Sequence, residues 1–129
     1  MLYTIIELIE YLGEDNNKKL VASLQSLYTL NLISYPRTHD RTITKKDLES
    51  LERLLNIQNS RISPDSGFKS IFGPLRPLQI PRPSINMNQI ETFLYELITD
   101  SNIAWLMGKD LSDLRNQSND IKTFKELTK

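Results

Sequence analysis

Nine of the sixteen Lys and Arg side chains fall between residues 35 and 83, against five of the sixteen acids: Arg37, Arg41, Lys45, Lys46, Arg53, Arg61, Lys69, Arg76 and Arg82. Residues 1–34 carry a net −2, residues 35–83 a net +4 and residues 84–129 a net −2, so a formal charge of zero conceals a basic middle. Phosphate is the ligand such a cluster suits, because nucleic-acid binding starts from locally concentrated Lys and Arg. Solvated surface charge accounts for the same counts equally well. The single histidine, His39, stands beside Asp40 and could be imagined as a base or a metal ligand. The two are adjacent and no second ligand cluster accompanies them, so no metal site is expected. The absence of cysteine removes disulfides, zinc knuckles and thiol nucleophiles together. Pro74-x-x-Pro77 could be a polyproline ligand for an SH3-like groove, but a stiff connection between helices is the better reading.

These residues need elements to position them. A chain of 129 residues, 39% hydrophobic and 25% charged, suits one globular domain. The N-terminal apolar run lacks a basic flank and carries Glu7 and Glu10, which fails as a signal peptide, and nothing approaches the roughly 20 apolar residues that span a bilayer. A cytoplasmic protein without membrane contact is expected. Residues 3–12 place Ile5, Ile6, Leu8, Ile9 and Leu12 on one helical face, with Gly13 as a stop. A second helix runs from the polar turn at residues 15–17 to about Leu30, with Leu20, Ser23, Leu24, Leu27 and Tyr28 as its buried stripe and Asn31 as a left-handed end. Leu32 to Tyr35 reads as a short strand halted by Pro36, with Arg41-Thr42-Ile43 as its return partner. Thr44 to Asp47 is a capping-box pattern ahead of a helix to about Ile57. Five of six prolines lie between residues 59 and 83, which excludes a regular helix there. Asn86 and Gln89 mark the next cap, for a helix to about Met107 before Gly108. Residues 1–107 are thus expected as one module, and residues 108–129 as a polar tail or weak helix.

The most informative stretch is Leu27-Tyr28-Thr29-Leu30-Asn31-Leu32-Ile33-Ser34-Tyr35-Pro36-Arg37-Thr38. It resembles the active-site signature of type IA DNA topoisomerases, in which a helix ending in Leu-Tyr leads through a Gly-Leu-Ile-Thr/Ser step to Tyr-Pro-Arg-Thr-Asp. A second stretch, Phe72-Gly73-Pro74-Leu75-Arg76-Pro77, sits where that family has its His-x-Ala-Ile-Arg/Ile-Pro-Thr segment. Residues 89–104, with Phe93-Leu94-Tyr95-Glu96-Leu97-Ile98, resemble the helix that follows. The resemblance covers residues 3–107 and corresponds to the family's tyrosine-bearing domain. It departs at Asn31 for Gly, at His39 for Asp or Glu with Asp40 one position late, and at Phe72 for His.

The resemblance implies a mainly α, winged-helix-like single domain with a small β-wing. It also implies roles: Tyr35 as a nucleophile toward a DNA phosphodiester, Arg37 as the guanidinium that steadies the developing charge, and Pro36 as the fixed link between them. Arg37, Arg41, Lys45, Lys46, Arg76 and Arg82 are the expected DNA contacts. Read without the motif, Tyr35 is an aromatic packing at a strand end and Arg37 a surface cation. Tyr28 is expected in the core, and Trp105 in packing rather than base stacking. The family holds Mg²⁺ with a Glu and an Asp-x-Asp pair from another domain, and no Asp-x-Asp occurs in this chain. It is therefore expected to carry no cofactor itself, to be inactive alone, and to use Mg²⁺ only if a partner subunit supplies the carboxylates. Tyrosine recombinases also combine Tyr, Arg and His, but with arginines far upstream of the nucleophile, an order absent here. The alternatives are a non-catalytic winged-helix DNA-binding protein and a protein-interaction module of the same fold.

Overall fold

A computed structural model describes residues 1–64 and 72–129; Lys69 of the basic middle lies outside the described residues. Among the described residues there are five α-helices and one 3₁₀ turn, and each α-helix begins or ends on a local signal. The α1 helix (Ile5–Leu12) starts on Thr4, whose hydroxyl accepts from Glu7 N, and stops at Gly13. The α2 helix (Asn17–Thr29) buries Leu20, Ser23, Leu24 and Leu27, and the chain leaves it through Asn31 at φ 61°. Thr44 caps α3 (Lys45–Leu55) by accepting from Asp47 N, and Asn56 closes it in the left-handed region. A full capping box between Asn88 and Glu91 opens α4 (Gln89–Met107), which ends on Gly108.

The helices share two apolar clusters. The larger gathers Leu8 and Leu12 of α1, Leu20, Leu24 and Leu27 of α2, and Phe93, Leu94, Leu97 and Ile98 of α4 around Leu32, Ile33 and Leu75. The smaller joins Ile43, Leu48 and Leu51 to Leu106, with Trp105 packed against it. Trp105 also meets the Tyr3 ring edge-on at 5.7 Å, the packing role expected of it.

Three expectations need correction. No hairpin forms among the described residues: Ile33 pairs in antiparallel fashion with Pro77, not with residues 41–43. Ser34 N donates to Arg76 O at 2.9 Å and Leu78 N to Leu32 O at 2.9 Å. These bonds flank the Ile33–Pro77 pair, so proline occupies a position whose N–H the ladder does not use. Residues 41–43 form no strand, and Ile43 is buried in the smaller cluster. The second correction is Tyr28, which is 36% exposed and not in the core. The third is the start of α4, which is capped by Asn88 and not by Asn86. Residues 108–129, expected as a polar tail or weak helix, hold the 3₁₀ turn (Leu111–Asp113) and α5 (Gln117–Leu127), with Phe124 in the main core. A carboxylate fixes α5: Asp120 accepts from Tyr11 Oη at 2.7 Å and from Arg115 Nη2 at 2.6 Å.

Candidate nucleic-acid interface

Tyr35 is placed by the segment that follows α2. Ile33 and Leu32 are anchored in the core, and Ser34 is bonded on both sides: its hydroxyl donates to Pro74 O at 3.1 Å and accepts from Arg76 N at 2.9 Å. Beyond Tyr35, Thr38 donates to Gly73 O at 2.7 Å. Asp40 accepts from Phe72 N at 3.2 Å and Gly73 N at 2.9 Å. The two stretches singled out in the sequence, 34–40 and 72–77, are therefore stitched together from both ends.

The stitching sets the surroundings of Tyr35. Its half-buried ring meets Tyr28 edge-on at 5.5 Å and Phe72 in a tilted arrangement at 4.7 Å. Phe72 is itself 47% exposed, so the three rings form an aromatic surface open to solvent. The Tyr35 hydroxyl has no hydrogen-bond partner among the described residues. In the sequence Asp40 is legible only as a displaced acid; its work is to accept from backbone more than thirty residues further along the chain.

The cations divide into free and engaged. Arg37, Lys45, Lys46 and Arg82 are exposed and form no ion pair among the described residues. Arg41 is exposed but pairs with Glu7 at 3.2 Å and lies over the Tyr3 ring at 5.0 Å. Arg76, expected on the DNA-facing surface, is buried instead. Its guanidinium pairs with Asp47 at 3.3 Å and donates to Phe72 O at 2.8 Å and Pro74 O at 3.1 Å. Gly73, at φ +69°, leaves the room: a Cβ there would stand 2.5 Å from Arg76 Nη1. Burial pulls the Arg76 pKa below its ordinary value, against the opposing pull of Asp47 and Asp40. Arg76 thus ties α3 to the 72–77 stretch, and a phosphate would have to displace Asp47 to reach it.

Arg37 and His39 line a cavity of about 330 Å³ whose other walls include Ile5 and Ile6 of α1 and Val21 of α2. Sequence reasoning missed it, since no motif joins α1 to residues 37–39. No three His, Asp or Glu side chains among the described residues converge as a metal site, and no described helix is long and apolar enough to cross a membrane. No family model, curated relative or solved structure matches the chain.

Proposed function

We propose that this chain is a homologue of the tyrosine-bearing domain of type IA DNA topoisomerases, binding single-stranded or nicked DNA through the surface around Arg37, Arg41, Lys45, Lys46 and Arg82. Its place is then on DNA, in the cytoplasm or at a nucleoid. The observation that supports the reading is that the fold brings the two family-like stretches together at Tyr35 and leaves its hydroxyl and the Arg37 guanidinium unengaged by described residues. The arrangement goes with a winged-helix-like module in which the 35–43 loop stands in place of the wing.

In the catalytic form of the reading, the Tyr35 hydroxyl attacks a backbone phosphorus, a sugar oxygen departs with the proton, and Arg37 faces the charge on the nonbridging oxygens. The phosphotyrosine link keeps the bond available for rejoining. The carboxylates for Mg²⁺ come from a partner subunit. Arg suits this position better than Lys, because its planar fork can hold two phosphate oxygens at once.

A specific observation favours a second, non-catalytic form. Phe72 fills the space against Tyr35 where the family has a histidine, so a neutral hydrocarbon ring stands where an acid or base would. Both forms predict DNA binding, and one experiment separates them. A fluorescent single-stranded oligonucleotide should bind at low salt, and replacing Arg37, Arg41, Lys45 and Lys46 with alanine should weaken it and flatten its log–log salt slope by about 0.7 for each phosphate no longer neutralised. Absence of binding at low salt overturns both forms. A covalent adduct formed with Mg²⁺ and an acidic partner subunit, and lost in Tyr35→Phe, selects the catalytic form. Unchanged binding by Tyr35→Phe without any adduct selects the other.

A further inference from the structure

The cavity between α1, α2 and residues 37–39 joins two chemistries. It is lined by the aliphatic side chains of Ile5, Ile6 and Val21, by the buried Thr4 and Thr38, and by the exposed Arg37 and His39. A volume of about 330 Å³ lies at the low end of small-ligand sites, roughly 300–1,000 Å³. Ile6 is 53% exposed, a large apolar side chain left in solvent beside a cation. The acid in the first turn of α1, Glu7, is engaged by Arg41 and does not neutralise Arg37. A ligand that suits such a site is partly apolar and carries an anionic group at one end.

The register along α2 relates this cavity to Tyr35. Tyr28, which touches the Tyr35 ring, and Val21, which lines the cavity, are seven residues apart on one face of α2, about 10 Å along its axis. The chain from Tyr35 to His39 therefore runs back along α2, carrying Arg37 and His39 away from the aromatic rings toward the cavity. A stacked single strand advances about 3.4 Å per nucleotide, so the cavity lies within about three nucleotides of Tyr35.

We propose that this cavity receives one unpaired nucleotide, its base between Ile5, Ile6 and Val21 and its phosphate on Arg37 and His39. The proposal rests on the non-catalytic form of the DNA-binding reading, in which Arg37 is not needed at a phosphate under attack by Tyr35, and it takes the nucleotide from a strand rather than a free mononucleotide. It makes the site a base-reading pocket beside the tyrosine. Duplex DNA cannot fill it without unpairing a base, which supplies a preference for single strands at this point.

The test reads the pocket directly. Methyl resonances of Ile5, Ile6 and Val21 in the full chain are followed by NMR during titration with thymidine monophosphate, with inorganic phosphate and with a single-stranded oligonucleotide. The oligonucleotide should move all three saturably, and inorganic phosphate should not. Ile6→Ala, at an exposed position that does not endanger folding, and Val21→Phe, which fills the space, should each weaken the oligonucleotide by about tenfold. An oligonucleotide carrying one abasic residue, scanned along its length, should lose affinity at one position only. Oligonucleotide binding that leaves the three methyls unmoved, or that ignores both variants and every abasic position, overturns the pocket and leaves the DNA-binding reading standing. Methyl shifts with the mononucleotide but none with the oligonucleotide keep a nucleotide pocket and overturn the strand as its source. No response to either nucleotide overturns the pocket outright.

Discussion

Tyr11 and Arg115 are both held by one carboxylate, whereas among the described residues neither the Tyr35 hydroxyl nor the Arg37 guanidinium is held by any. Asp120 accepts from Tyr11 Oη at 2.7 Å, from Arg115 Nε at 3.0 Å and from Arg115 Nη2 at 2.6 Å, and Asp100 takes Arg115 Nη1 at 3.0 Å. Burial, then the bond to Asp120, pushes the Tyr11 pKa well above its ordinary value, so its oxygen keeps its proton and is no nucleophile. The bonds to Asp120 push Arg115 up in turn. The same two residue types thus serve as a structural clasp at α5 and stand available beside α2. What separates them is the supply of acids: residues 84–129 carry a net −2 and the basic middle a net +4.

The sharpest way to break this contrast is to remove the carboxylate. Asp120→Asn should cost about 3 kcal/mol, the low end for a buried pair that loses one partner, because Tyr11 and Arg115 lose their shared carboxylate while Asp100 still pairs with Arg115. Tyr35→Phe should change stability by less than about 0.5 kcal/mol, as expected of a group outside any network. Urea denaturation of the two variants measures both. Similar costs would erase the distinction between clasp and site.

Arg76 tests whether the available region is built as deliberately as the locked one. Arg76→Ala should cost about 2–3 kcal/mol, since it strips a buried ion pair and two backbone acceptors at once. Arg37→Ala should cost almost nothing in stability while weakening DNA binding. If the two arginines exchange these signatures in denaturation and DNA-binding measurements, the assignment of free and engaged cations is reversed.

A smaller effect appears with pH. Tyr11 has a folded pKa raised above its ordinary value of 10.0. A raised value means that the unfolded chain loses the proton first, so the contribution of Tyr11 is complete below about pH 10 and declines as pH climbs from there toward the folded value. Tyr95, raised by burial, acts in the same direction. The urea midpoint should fall above pH 10, and fall less steeply in Tyr11→Phe. An equal slope in the variant would show that Tyr11 is not clasped.

How far the sequence could be read follows the range of the interaction concerned. Thr44, Asn31 and Gly108 act within one helical turn, and the helices begin and end close to where these residues place them, while the cap of α4 falls on Asn88, two residues past the expected Asn86. The partner of Ile33 could not be read this way. Residues 41–43 are near in the chain, but Pro77 is the residue that pairs, because Ser34, Thr38 and Asp40 each bond to backbone more than thirty residues away. The α5 helix is underrated by its sequence for a related reason: it is anchored by Asp120 as much as by Phe124, and apolar periodicity does not register a polar clasp. Of the site, the motif marks Tyr35 and Arg37 as a pair. That Arg76 is structural, that Tyr28 is exposed, and that a cavity adjoins Arg37 depend on packing between distant segments.

Thr38 gives the smallest and most discriminating effect, because it belongs to both halves of the contrast. It sits in the family-like motif, yet it is 2% exposed and bonded like a residue of the clasp. Its hydroxyl donates to Gly73 O at 2.7 Å and accepts from Asp40 N at 3.0 Å. Thr38→Val keeps the shape and leaves one carbonyl and one amide unpaired, for about 1–2 kcal/mol, and Thr38→Ser should restore most of it. The stability change alone says only that a hydrogen bond is gone. The informative readout is hydrogen exchange at Gly73 N and Phe72 N, whose acceptor Asp40 is held in place by that same hydroxyl. If Thr38 positions the loop, Thr38→Val should speed exchange at both amides and weaken oligonucleotide binding together, while Asp100 and Asp120 at the other end keep Arg115 as before. Faster exchange with DNA binding intact would mean that the 72–77 stretch buttresses the core and has no part in presenting Tyr35.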